Sequence, residues 1–245
     1  MTKQIALGLV VLAGFSLTGC LFDDDDGGIF NCVEGQGPIV SQSFDLPSFS
    51  GVDLEIDADV YITQGGEQEV IVEGQENILD RLELSVSSDT WEIDLDGCTR
   101  YDDPLKVYIT IPEVTYLRID GSGDMISENI LEGDDILLRI SGSGDMDLGL
   151  DMSDKVESKI SGSGTIFLEG EAKKTDFEIS GSGDYQTFGL ETDKCDIKIS
   201  GSGDAEVFVN DDLDVKITGS GDVFYRGNPA INADITGSGE IIDAN

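Results

Sequence analysis

The sequence of 245 residues contains no histidine, and its 14 lysines and arginines face 51 aspartates and glutamates, a formal net charge of -37. Without histidine the commonest general base and metal ligand is gone. Every Ser-His or Cys-His nucleophile and every His-ligated zinc or iron centre is excluded with it. The shortage of base excludes nucleic acid as a partner, because such a field repels a polyanion and no basic patch is dense enough to reverse it locally. Enzymes built on Asp, Glu, Lys or Arg alone stay open. The apolar run at residues 5–17 is too short to cross a bilayer in the ordinary way. What is present is 39% hydrophobic residues in alternating runs. That is enough to bury a core, so the acidity belongs to a folded protein and not to a disordered one.

Lys3 precedes that apolar run, which ends in Leu17-Thr18-Gly19-Cys20. The ending resembles a bacterial lipobox, which implies a signal peptide at 1–19 and a diacylated Cys20 as the mature N-terminus; the alternative is an ordinary secretory signal, and both export the chain. Residues 20–43, with Asp23 to Asp26 followed by Gly27 and Gly28, read as an acidic flexible tether repelled by an anionic bilayer. Leu21 rather than Asp follows the lipidated position, as in proteins sent on to the outer membrane of a Gram-negative host. The expected place is therefore the bacterial envelope, with the lipid anchor as membrane partner. In that oxidising compartment Cys32 and Cys98 are a candidate disulfide that would pin the tether to the body, but sequence cannot give their separation.

Gly-Ser-Gly begins at Gly121, Gly142, Gly162, Gly181, Gly201, Gly219 and Gly237, at spacings of 21, 20, 19, 20, 18 and 18. A nearly constant period in this range is the mark of a solenoid. Two residues before each motif stands Ile119, Ile140, Ile160, Ile179, Ile199, Ile217 or Ile235, and apolar residues recur at alternate positions upstream, which is strand periodicity. Stacking like residues about 4.8 Å apart buries a continuous face that one coil could not bury. The expectation is an all-β, single-stranded, right-handed parallel β-helix with about 18–21 residues per coil. Cys195 falls in an inward column and reads as a small core residue. One outward column runs Arg118, Arg139, Lys159, Glu178, Lys198, Lys216, Asp234, beside an acidic one of Glu157, Asp176, Asp196 and Asp214. Opposite columns relieve repulsion along the stack.

The glycines read as structural turns, and the intervening serines as a hydroxyl ladder. After each motif stands Asp124, Asp145, Thr165, Asp184, Asp204, Asp222 or Glu240. Stacked carboxylates repel, so either solvent screens them or a cation bridges them. Calcium at Asp184, Asp204, Asp222 and Glu240 is the metal candidate, although the spacing differs from calcium-binding nonapeptide repeats. No other cofactor is expected. Variable segments between the two strands of each repeat are expected to form loops along one edge.

Residues 44–118 keep strand alternation without the motif and read as irregular coils of the same stack, with a turn or short helix near residues 79–84; regular coils follow over 119–245. The motifs Phe49-Ser50-Gly51-Val52, Val60-Tyr61-Ile62-Thr63-Gln64-Gly65, Val107-Tyr108-Ile109-Thr110-Ile111-Pro112 and repeated Ile-Ser-Gly-Ser-Gly-Asp, in this order, resemble the "putative auto-transporter adhesin, head GIN domain" family over residues 44–242. The resemblance implies a right-handed β-helix in an exported, often lipid-anchored protein, with no catalytic residues to carry over. The functional expectation is a non-catalytic adhesive, ligand-binding or scaffolding surface for a glycan or protein. The alternatives are a polysaccharide-active β-helix enzyme and a calcium-organised assembly module. The last coil has no evident polar cap, so homo-oligomerisation through it is a further expectation.

Overall fold

The structure is a computed structural model and describes residues 32–245. The expectations for Cys20, the 1–19 signal segment and the Asp23 to Asp26 spacer concern residues outside that range. The chain opens with β1 (Val33–Glu34), β2 (Ile39–Phe44), β3 (Gly51–Leu54), β4 (Ala58–Gln64), β5 (Glu69–Gln75), the one-turn helix α1 (Glu76–Leu79), β6 (Val86–Ser87), β7 (Thr90–Ile93), β8 (Thr99–Arg100) and β9 (Leu105–Ile111). It continues with β10 (Tyr116–Ile119), β11 (Asp124–Ser127), β12 (Leu131–Ile140), β13 (Met146–Ile160), β14 (Thr165–Ile179), β15 (Asp184–Gly201), β16 (Ala205–Gly219), β17 (Val223–Gly227), β18 (Ala230–Gly237) and β19 (Ile241–Asp243).

From β10 onward the strands pair in parallel with the next coil, and the register runs Ile119↔Ile140↔Ile160↔Ile179↔Ile199↔Ile217↔Ile235. This is the parallel β-solenoid that the period predicts. The alternation of side chains sends every second residue inward, and Val60, Leu117, Leu148, Ile160 and Leu213 are completely buried. Burial of each such side chain contributes roughly 1.5–3 kcal/mol. Ser158 breaks an inward column, and the fully buried Tyr185 explains it: its hydroxyl donates to Ser158 Oγ at 3.0 Å, while its ring stacks on Phe177 at 4.4 Å. Burial raises the Tyr185 pKa and pushes the Cys195 thiol up to about 12.

Four expectations change. The expected loop edge is a corner of continuous strand, where register slips between Gly133 and Asp135, Met152 and Lys155, Phe167 and Glu169, and Thr192 and Lys194. Parallel neighbours on both sides keep the backbone bonded through the corner, so differences in coil length are absorbed as bulges. The first half is not a run of coils stacked in chain order. The β3–β4 coil lies between β10–β11 on one side and β7–β9 on the other, and β5 then adds to β9, and β2 to β5, antiparallel. The short helix falls at Glu76–Leu79 and residues 80–84 form the turn and bridge that lead into β6. Finally, the folded unit includes part of the expected 20–43 tether. β1 pairs with β8, β2 lies on β5, and Val33 and Val40 pack against the core.

The two ends of the stack differ. At the β7 end, β6 folds back antiparallel on β7 and Ile78, Leu79 and Trp91 are sealed from solvent. At the other end β18 bonds only to β16 and β19 only to β17 among the described residues. There the inward isoleucine column surfaces: Ile231 is 42% and Ile235 40% exposed.

Candidate interaction surfaces

The turns form two hydrogen-bonded ladders. In the first, the backbone N–H of Ser143, Ser163, Ser182, Ser202 and Ser220 donates to the first Gly carbonyl of the preceding coil at 2.9 Å, and Ser238 does so at 2.8 Å. The expected serine ladder therefore runs through the main chain, and the exposed side chains stand outside it. In the second, carboxylate Oδ1 atoms take the place of a main-chain acceptor. Asp124 accepts from Asp145 N–H at 3.0 Å, Asp145 from Thr165 at 2.7 Å, Asp184 from Asp204 at 2.7 Å, Asp204 from Asp222 at 2.7 Å, and Asp222 from Glu240 at 2.8 Å. Thr165 interrupts it, and Asp184 N–H turns instead to Gly164 O at 3.2 Å.

This assigns the repeated Asp a role that spacing alone could not distinguish from ion binding. Asp184, Asp204, Asp222 and Glu240 do share a column, but the first three each use one oxygen on the next coil. Among the described residues no three His, Cys, Asp or Glu side chains are grouped to hold a metal ion. The turn ladder gives Asp184, Asp204 and Asp222 a structural role at these positions. The seven Gly-Ser-Gly turns stack as the period predicts. From Gly142 on, the first glycine of each lies so close to the coil below that a Cβ would come within 2.0–2.4 Å of its carbonyl oxygen.

The outward charges occupy three columns where the sequence suggested two. Lys155, Lys174 and Lys194 stand in register on the far side of the acidic column, spaced like Lys159 and Lys198 and therefore readable from the same repeat. They supply many of the ion pairs: Lys155 to Glu157 at 2.8 Å and Asp176 at 3.4 Å, Lys174 to Asp196 at 2.7 Å, Lys194 to Asp212 at 2.7 Å. In the column that runs from Arg118 to Asp234, Lys159 meets Glu178 at 2.9 Å, and Arg118 meets Asp53 at 3.1 Å, Glu55 at 3.9 Å and also Asp120. Lysine hydrogen bonds hold the Glu157 and Glu178 carboxyls below the usual range. Burial raises Asp53 against the pull of Arg118. The clefts on these faces are shallow surface features; one of about 310 Å³ is lined by Asp151, Ser153, Glu171, Lys173, Glu191 and Asn210.

A second outward face carries an apolar stripe. Ile126, Tyr61, Tyr108 and Ile71 are in register across β11, β4, β9 and β5. The two tyrosine rings stack at 5.1 Å with 14° between planes, and all four residues are only partly buried. Around them lie Asp59, Glu69, Glu73, Glu128 and Lys106. Val-Tyr-Ile-Thr occurs at both 60–63 and 107–110, in the sequence a mark of strand alternation and of the family motifs. Their duplication was the missed signal, because two identical strands in one stack place like side chains side by side.

Fold and surfaces together define a parallel β-solenoid that presents regular outward columns, with one end closed and one open. The chain belongs to the family described as "Putative auto-transporter adhesin, head GIN domain", which matches residues 48–229. Among solved structures it is similar to a putative adhesin from Bacteroides fragilis at 23% identity and TM-score 0.80, over 85% of this chain and 98% of that one. A putative adhesin from Parabacteroides merdae matches at 22% identity and TM-score 0.71, over 86% and 99%. A protein from Parabacteroides distasonis described as a putative lipid binding protein matches at 20% identity and TM-score 0.65, over 86% and 99%. At these identities the likeness establishes the fold. A comparison with curated proteins gives no significant match. No described helix is long and apolar enough to cross a membrane.

Proposed function

We propose that the chain is an exported, lipid-anchored and non-catalytic adhesin-like protein, whose solenoid carries a contact face away from the membrane. The observation that carries the reading is the Ile71, Tyr108, Tyr61, Ile126 stripe. Partly exposed tyrosines and isoleucines aligned over four strands form an apolar ridge, and such ridges rimmed by polar groups are characteristic of interaction sites. The acidic rim favours an uncharged or basic protein surface and disfavours acidic polysaccharide. Family membership, the lipobox at Cys20 and the tether support export and anchoring.

The test uses residues 32–245, which carry the hydrophobic core of the described residues, and measures retention on protein-coated surfaces and on arrays of neutral and acidic glycans. Tyr61→Ser with Tyr108→Ser should reduce retention on protein at least tenfold while leaving the circular dichroism spectrum unchanged. Undiminished retention, or turnover of any glycan, would overturn the reading. Anchoring is tested separately: Cys20→Ala should abolish incorporation of labelled fatty acid and release the chain from the membrane fraction.

A further inference from the structure

The open end of the stack combines features that solenoids ordinarily avoid at a terminus. Among the described residues the outer β18 edge has no partner, its inward residues Ile231 and Ile235 are exposed, and its strand is continuous, without a bulge against β16. Exposed edges are usually protected by lysine, inward charge, bulges or a covering element. Here the protection has been removed. Where the preceding coil carries Asp211, Asp212, Asp214 and Lys216, residues 229–236 carry Asp234 alone: Ala230 stands over Asp212 and Asn232 over Asp214. In a chain of net charge -37 the β18 edge is thus nearly neutral, while Glu240 and Asp243 lie toward β19 at the same end.

The strand is also complementary to itself. A two-fold axis through Ala233, perpendicular to the sheet, sets two copies of β18 antiparallel. Ile231 then faces Ile235 of the second copy on the inward side, and Asn232 faces Asp234 of the second copy on the outward side. The outward pair is an amide against a carboxylate, so no like charges are directly opposed. The closed β7 end offers no matching edge for head-to-tail growth, since β6 covers β7 antiparallel.

We propose that the open end is a homodimer interface, in which β18 of one chain pairs antiparallel with β18 of a second copy, centred on Ala233, and joins two solenoids end to end. The contact uses the β18 edge of both copies, so no third copy can add at β18 and the pairing closes at two. It strengthens as salt screens the repulsion between two acidic bodies.

Sedimentation equilibrium of residues 32–245 across micromolar to submillimolar concentrations should show a doubling of mass, and Ile231→Lys or Ile235→Lys should raise the dissociation constant at least tenfold. The register has its own test. Directly opposite Cα atoms lie about 4.5–5.5 Å apart, within the span of a disulfide, so Ala233→Cys should cross-link covalently to its copy under mild oxidation, whereas Thr236→Cys should not. Background thiols do not interfere, because Cys32 and Cys98 are paired and Cys195 is buried. A monomer at every concentration, a dimer that survives both lysine variants, or cross-linking at 236 but not 233 would overturn the proposal.

Discussion

A glycine is required in these turns by what lies beneath it. A Cβ on Gly201 would sit 2.0 Å from Gly181 O, whereas at Gly121 the nearest atom is Glu55 O at 3.6 Å, because the coil below has no glycine motif to approach. Gly201→Ala should therefore cost about 2–4 kcal/mol and Gly121→Ala much less, a contrast that paired denaturant titrations will show. The aspartates are tested in the same way. Asp204 is an acceptor for Asp222 N–H, so Asp204→Ala leaves a donor without its partner and should cost about 1–3 kcal/mol. Asp204→Asn retains an oxygen there and should cost distinctly less. If instead the column worked by holding calcium, Asn and Ala would be equally damaging, and millimolar calcium would raise the melting temperature beyond matched ionic strength.

At the scale of strands and columns, paired rows of charge act as weak, pH-sensitive ties. Glu157 and Glu178 titrate below their usual range in the folded chain because Lys155 and Lys159 hydrogen-bond to them. A folded-state pKa below the unfolded one means that the added stability is complete above the unfolded value of about 4.3, and disappears as pH falls through the folded value. Both pairs are solvent-screened, so Lys155→Gln with Lys159→Gln should lower stability at pH 6–7 by no more than about 1 kcal/mol. The gap should close in strong acid. The regular coils were legible at this scale because a fixed period with alternating residues determines both the register and the side each residue faces. The irregular half was legible only as strands. Its β3–β4 coil lies inside β7–β9 through contacts distant in sequence, which no local pattern encodes. The Tyr61–Tyr108 stack depends on that rearrangement, and the only sequence trace of it is the duplicated Val-Tyr-Ile-Thr at 60–63 and 107–110.

For the whole molecule, the joined Cys32 and Cys98 close a loop across a sequence separation of 66 with an S–S distance of 1.95 Å. Breaking this link should cost about 4 kcal/mol on the loop-entropy account, measurable as a lower denaturation midpoint in reductant. It also determines the path of load. A pull on the chain ahead of Cys32 passes through sulfur to Cys98 and on toward Leu105–Ile111, bypassing β1 to β7. The strands between the two cysteines cannot be drawn out in line while the bond holds. At about 3.5 Å per residue that withholds roughly 230 Å of extension, so a single-molecule stretch of the oxidised chain should show a shorter total contour than the reduced one. An adhesive module stressed through its N-terminal side would then have a stiff, shielded root, with the yielding coils farther out.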